Sequence, residues 1–143
     1  MGVSIYYTAT RGTALTDEER DRVQDIVTES NEALFAGLNT KLAGWKAKNL
    51  VPAHMADAWE FCEGLHLYKP DENDPRVILA GSSKVSHSEC GMEPMYAQLD
   101  HYMRVALPRL RRALPDAEWR VHVDDIDLEW DEEDGQYTYP DAP

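Results

Sequence analysis

Two pairs of side chains have the types and spacing to hold a metal ion: Cys62-x₃-His66 and His87-x₂-Cys90. Two thiolates and two imidazoles make a ligand set that suits tetrahedral Zn²⁺. Neither pair has the zinc-finger form, in which two cysteines are joined and two histidines are joined. The plainer reading is a core cysteine beside exposed histidines. Cys90 could also be a nucleophile with His87 or His101 as its base, since it lies shortly before a helix that starts near Glu93. Such a thiol needs its pKa lowered by a helix N-terminus or a cation. Ser86, Ser88 and Glu89 surround Cys90 with neither Lys nor Arg. Ser82, Ser83 and Lys84 after Gly81 lack the GxxxxGK[ST] order of a phosphate loop. The expectation is therefore no catalytic residue, no cofactor and no dedicated metal site.

Carboxylates offer a different chemistry. The twenty residues from Asp124 to Pro143 hold nine acids and no Lys or Arg, and so carry −9 of the chain's −13. The other 123 residues hold 18 acids against 14 bases. Charge this lopsided produces a directional field that draws in a basic partner and repels nucleic acid or anionic lipid. On one face of a strand, Asp127, Glu129 and Asp131 would stand about 7 Å apart. That spacing resembles the charge repeat of a nucleic-acid backbone, which proteins that block nucleases can exploit. Glu132, Glu133 and Asp134 crowd a hairpin tip, with Asp124 and Asp125 at the base. Trp130, Tyr137 and Tyr139 sit among the acids as aromatic anchors would. The competing explanation is a solvated strand whose acids prevent edge-to-edge aggregation. The acids lack the order of an EF-hand loop, so only weak, unspecific divalent binding is expected.

The elements that must position these groups can be read from spacing. Val3 to Thr10 is a strand rich in β-branched and aromatic residues. Thr16 and Glu19 form a capping box for a helix carrying Val23, Ile26, Val27 and Leu34 on one face. Leu38, Leu42 and Trp45 extend that face, and Ala36-Gly37 leaves one helix or two open. Ala53 to Cys62 is open between a loop and a short helix that would expose Asp57 and Glu60. Leu65 to Tyr68 and Val77 to Ala80 read as a hairpin with a long connection, Lys69 to Pro75. Gly81 to Gly91 reads as a polar surface loop. Met95, Leu99, Tyr102, Met103, Ala106, Leu110 and Leu114 mark a second helix, which Pro108 must kink or restart. Trp119 to Val123 is a strand, and a change of parity places a bulge or bend at Asp124-Asp125. The alternation Ile126/Leu128/Trp130 against the acids describes one strand with an apolar and an acidic face. Asp134-Gly135 signals a type I′ turn.

This order predicts a single α+β domain over 1–143 on the ferredoxin-like βαββαβ plan. Its sheet is mostly antiparallel, with two main helices on one face and an extra C-terminal acidic hairpin. No signal peptide or membrane span is evident, and two cysteines make no disulfide framework, so a cytoplasmic location is expected. The leading functional expectation is a protein-binding domain, most concretely an immunity or inhibitor protein that neutralises a basic partner such as a nuclease toxin. Its interface would be Asp124, Asp125, Asp127, Glu129, Trp130, Asp131, Glu132, Glu133 and Tyr137. Arg104, Arg109, Arg111 and Arg112 pair best with the chain's own acids or with a protein partner, and a homodimer joining them to the hairpin of a second copy is one arrangement. The rival is a small enzyme or ligand-binding module whose pocket gathers Tyr6, Tyr7, His66, His101 and His122.

Overall fold

The computed structural model describes residues 2–70 and 72–140, so Asp71, in the 69–75 connection, and the last acid, Asp141, lie outside the described residues. The chain is α+β. Strand β1 (Ser4–Thr10) is followed by helix α1 (Asp17–Ala47), a 3₁₀ turn at Ala58–Glu60, and β2 (Val77–Lys84). A second helical rod comprises α2 (Met92–His101), a π-helical turn at Tyr102–Ala106, and α3 (Leu107–Ala113). Four short strands close the chain: β3 (Glu118–Val123), β4 (Ile126–Asp127), β5 (Glu129–Asp131) and β6 (Gln136–Thr138).

β1 is the organising strand. It pairs antiparallel with β2 on one side (Tyr7 opposite Gly81) and with β3 on the other (Tyr7 opposite Val121). The resulting sheet has the order β2-β1-β3-β4, and β5 with β6 forms a separate two-stranded ribbon. Alternation along β1 sends Ile5, Tyr7 and Ala9 into the core and leaves Ser4, Tyr6, Thr8 and Thr10 on the other face. The inward row joins the buried residues of both helices in one hydrophobic cluster. Among the described residues, no helix is long and apolar enough to cross a membrane.

α1 is one continuous 31-residue helix, not two. Its capping box forms as the sequence requires: Glu19 N donates to Thr16 Oγ1 at 3.1 Å, and Thr16 N donates to Glu19 Oε1 at 2.9 Å. Val23, Ile26, Ser30, Leu34, Leu38, Leu42 and Trp45 are its buried residues. This nearly 3.6-residue repeat carries the helix straight through Ala36-Gly37. In the second rod Pro108 is absorbed without a break. Pro lacks an N–H and crowds the carbonyl four residues earlier. The preceding turn opens into π geometry, in which Leu107 N–H bonds to Tyr102 O.

Three local expectations are corrected, and the choice between helix and loop over 53–62 is settled. Ala53 to Cys62 is not a helix; only Ala58–Glu60 turns, and Asp57 and Glu60 form the capping box of that turn instead of pointing free. The segment is held by α1. Asn39 Oδ1 accepts from Ala58 N at 2.8 Å, and Asn31 Oδ1 accepts from Leu65 N at 2.7 Å. The polar stretch after Gly81 is not a loop from its start, because β2 continues to Lys84 opposite Ser4. Composition hid this: Ser83 is buried, paired with the Tyr7 hydroxyl at 2.9 Å and donating to Gly64 O.

The regular strand expected over 65–68 is reduced to one bridge, Leu67 opposite Gly81. Finally, the ribbon from Ile126 to Asp131 is not one strand. β4 belongs to the main sheet and β5 to the ribbon, with buried Leu128 at the crossover. Ile126 is 47% exposed, so the apolar face implied by alternation does not form there.

Candidate functional site

The C-terminal acids are presented by two tight reversals. The first joins β3 to β4 through Asp124 and Asp125 alone, since Val123 pairs with Ile126. The bend read from parity is thus a full hairpin. Asp124 adopts φ 48°, a left-handed conformation that Asp tolerates better than most residues. It is stitched to β1 in both directions. Its N–H donates to Ser4 O at 3.0 Å, and its Oδ1 accepts from Ser4 N at 3.1 Å. His122 Nδ1–H donates to Asp124 O at 2.7 Å and completes the clasp.

The second reversal joins β5 to β6. Asp131 pairs with Gln136, so the loop is the four residues 132–135 and not the two-residue type I′ turn expected from Asp134-Gly135. Type I′ needs positive φ at both central residues. Here only Gly135 has it, at 65°, and Gly135 N donates to Asp131 O at 2.8 Å. Asp131 Oδ1 accepts from Asp134 N at 3.1 Å and closes the loop.

Asp124, Asp125, Asp127, Glu129, Glu132, Glu133 and Asp134 are exposed, and Asp131 is half-buried. Among the described residues, the one ion pair made by these acids is Asp127 with Arg120 at 3.0 Å. Two of the helix arginines are engaged elsewhere: Arg104 with Asp100 at 2.9 Å and Arg109 with Glu29 at 2.8 Å. Arg111 instead docks the acidic ribbon onto α3. Its guanidinium carbon sits 4.5 Å from the Trp130 ring centroid and 5.9 Å from that of Tyr137. It also donates to the Tyr137 hydroxyl at 3.1 Å. Tyr137 is only 3% exposed and packs edge-on against Trp130, and burial raises its phenol pKa. Of the three aromatics read as anchors, Tyr139 is exposed and Tyr137 is a core residue. Trp130 is half-buried, with its indole N–H given to Glu132 at 2.6 Å.

The metal and nucleophile candidates are only partly brought together. Cys62, His66 and His87 border one open cleft of about 790 Å³, along with Trp59 and Lys84; Cys90 does not. Among the described residues, no three His, Cys, Asp or Glu side chains are grouped so as to hold a metal ion. Burial pushes the Cys62 thiol up to about 11. Cys90 is also raised, by burial and by Glu89, the reverse of what a nucleophile needs. His87 Nδ1 accepts from Glu89 N at 3.1 Å.

The residues of the pocket reading do not converge. Tyr6 and His122 stack on the open face of the sheet, with ring centroids 4.8 Å apart. Tyr7 is buried beneath it, His66 lies at the cleft, and His101 sits half-buried against α1. Sequence reasoning missed Tyr96, which is exposed beside Tyr139. The available signal was its position just off the apolar stripe Met95/Leu99/Tyr102.

Comparison with protein-family models, with curated proteins and with solved structures finds no match.

Proposed function

We propose that this is a protein-binding domain whose acidic C-terminal ribbon docks a basic protein partner, in the manner of an immunity or inhibitor protein for a basic toxin. The observation that carries the reading is the set of exposed carboxylates from Asp124 to Asp134, of which one is ion-paired among the described residues. By strand rise they extend up to about 20 Å along the molecule. Both turns are pinned by backbone hydrogen bonds, so the carboxylates are held in place before a partner arrives. Preorganised, unneutralised charge accelerates association and selects a partner by sign. Two free thiols, Cys62 and Cys90, fit a reducing cytoplasm.

The scaffold for this ribbon we read as a ferredoxin-like plan with a vestigial second strand. Support comes from residues 66–68, which run antiparallel beside β2. Tyr68 N donates to Ala80 O at 2.8 Å and Ser82 N to His66 O at 3.1 Å. With that segment counted as a strand, the order of the sheet becomes that of the split βαβ fold, extended by β4.

The test uses the chain with Glu129→Gln, Glu132→Gln, Glu133→Gln and Asp134→Asn, which preserves shape and removes charge. The intact chain should retain a basic protein from its host's extract. The purified pair should associate more slowly as salt rises, and the amide variant should lose most of that rate. Equal rate and affinity for the amide variant would sink the reading. Truncation after Val123 is a poorer test, since it also deletes the core residues Leu128 and Tyr137.

A further inference from the structure

A charged ribbon alone gives rate and sign but little hold, and tight interfaces rely on a few apolar anchors in desolvated pockets. With Tyr137 buried, the anchor must lie elsewhere. A cleft of about 310 Å³ opens between α2 and β6, beside the acidic ribbon. Its base includes Leu99 and Tyr137, which are 4% and 3% exposed. Its rim includes Tyr96 and Tyr139, which are 54% and 45% exposed, together with Met103.

Arg104, the rim's one cation, is matched by Asp100 at 2.9 Å, so it presents no unopposed positive charge. The cleft's β6 wall pairs with β5, which sets Glu129 opposite Thr138 and Asp131 opposite Gln136. The cleft thus runs alongside the acidic ribbon. It has room for one large side chain, and its surroundings are negative.

We propose that this cleft is the anchor pocket for a cationic amphipathic segment of a partner protein. One bulky apolar side chain enters between Tyr96 and Tyr139, while flanking lysines or arginines meet Glu129, Asp131 and the other carboxylates of the ribbon. The occupant is fixed by complementarity: an apolar cleft asks for an apolar group, and its acidic border asks for cations around it. This inference rests on the acidic-interface reading and adds the residues that would hold the complex.

Two synthetic peptides serve as probes: an amphipathic Lys/Leu peptide and a Lys/Ser peptide of the same length and charge. The Lys/Leu peptide should bind at least about tenfold tighter and shift the NMR signals of Leu99, Met103 and Tyr139. Tyr96→Ala and Tyr139→Ala should each weaken it by about tenfold, as truncation of an anchor does. Both residues are exposed, and unchanged thermal unfolding would show that the variants remain folded. Equal binding of the two peptides, or unaltered affinity in both tyrosine variants, overturns the pocket.

The four-residue amide variant separates the two proposals. If it loses both peptides while the tyrosine variants lose neither, the acidic surface stands and the pocket falls. If it binds both peptides as the intact chain does, the acidic reading falls with it. Self-association in sedimentation equilibrium that Tyr96→Ala abolishes would assign the cleft to a second copy, which also overturns a cationic partner.

Discussion

Arg111 lies over the indole of Trp130, its guanidinium carbon 4.5 Å from the ring centroid, and reaches the Tyr137 hydroxyl from the same position. One arginine therefore joins both strands of the acidic ribbon to α3. The contact turns a short two-stranded ribbon, which would be marginal in water alone, into a fixed part of the surface. It also places a cation beneath a run of carboxylates without consuming any of them, because the guanidinium is satisfied by aromatic faces and a phenol.

Replacing Arg111 with Ala should release the ribbon. The loss of a partly desolvated cation–π contact and of its packing is expected to cost about 1–2 kcal/mol. Trp130 emission should shift to the red, and hydrogen exchange should quicken at Glu129–Asp131 and Gln136–Thr138. Arg111→Lys should recover only part of this, since an ammonium cannot stack on the indole as a planar guanidinium does. Unchanged exchange in the ribbon of the Ala variant would show that other contacts hold it.

Gly81 is expected to be the least replaceable residue of β2. A Cβ there would stand 2.2 Å from His66 O and 2.6 Å from Tyr7 Cε2, so Gly81→Ala must push the 66–68 segment off the sheet. A cost of about 1–3 kcal/mol is expected, as for other overpacked sites. Tyr7→Phe attacks the same junction from beneath. It leaves His66 N, which donates to the Tyr7 hydroxyl at 2.9 Å, without its partner, and should cost about 1–3 kcal/mol. Because the two changes share a junction, the double variant should lose less than the sum. Chemical denaturation of the four proteins reads this directly.

What the sequence made legible was what periodicity and capping encode. α1 was readable from its 3.6-residue stripe and the Thr16–Glu19 box, β1 from its alternation, and the second helix from Met95 to Leu114. The misreadings have a common physical cause: tertiary contacts replaced local signals. Ser82–Lys84 joins a strand because Tyr6, Ile5 and Ser4 lie opposite, although its composition is that of a loop. Residues 53–67 need no regular structure because Asn31 and Asn39 of α1 satisfy their backbone. The acidity of the ribbon was plain from composition. That Tyr137 faces inward was not, since it depends on Arg111, which lies 26 residues away from Tyr137 in the chain.

Stability should fall with acid in two windows. Burial depresses the His101 pKa below its ordinary 6.5, so the folded state favours the neutral ring. Its contribution is complete above the unfolded value and is lost as pH falls from about 6.5 through the folded value. The carboxyl of Glu19 is held down to about 2 by the Arg11 guanidinium, with further help from Thr16 N. A depressed carboxylate contributes above its unfolded pKa of about 4.5, and that contribution is lost as pH falls towards 2. In urea titrations from pH 8 to pH 3, His101→Gln should flatten the first window, and Glu19→Gln the second. If His101→Gln leaves the slope between pH 6.5 and 5 unchanged, the imidazole is not the group that is titrating.

The two thiols should differ from each other and from a catalytic cysteine. Cys62 is buried and its pKa is pushed to about 11, so almost none is thiolate at neutral pH and little of it is accessible. Cys90 is half-buried and raised as well, with Glu89 adding to the effect of burial. Because thiolate is the reactive form, both should label more slowly with a disulfide reagent than an unfolded thiol at the same pH. Cys90 should react first and by direct attack. Cys62 should wait for an opening of the segment that Asn31 and Ser83 hold, so its rate should rise in Gly81→Ala by about fivefold for each kcal/mol of opening free energy lost. Measured in the single-cysteine proteins Cys62→Ala and Cys90→Ala, a fast, pH-independent reaction at either site would mean an activated thiolate and would reopen cysteine chemistry. Slow labelling that tracks the thiol pKa at Cys90 and the opening equilibrium at Cys62 would leave both as structural residues, and the chain's reactive groups as its carboxylates.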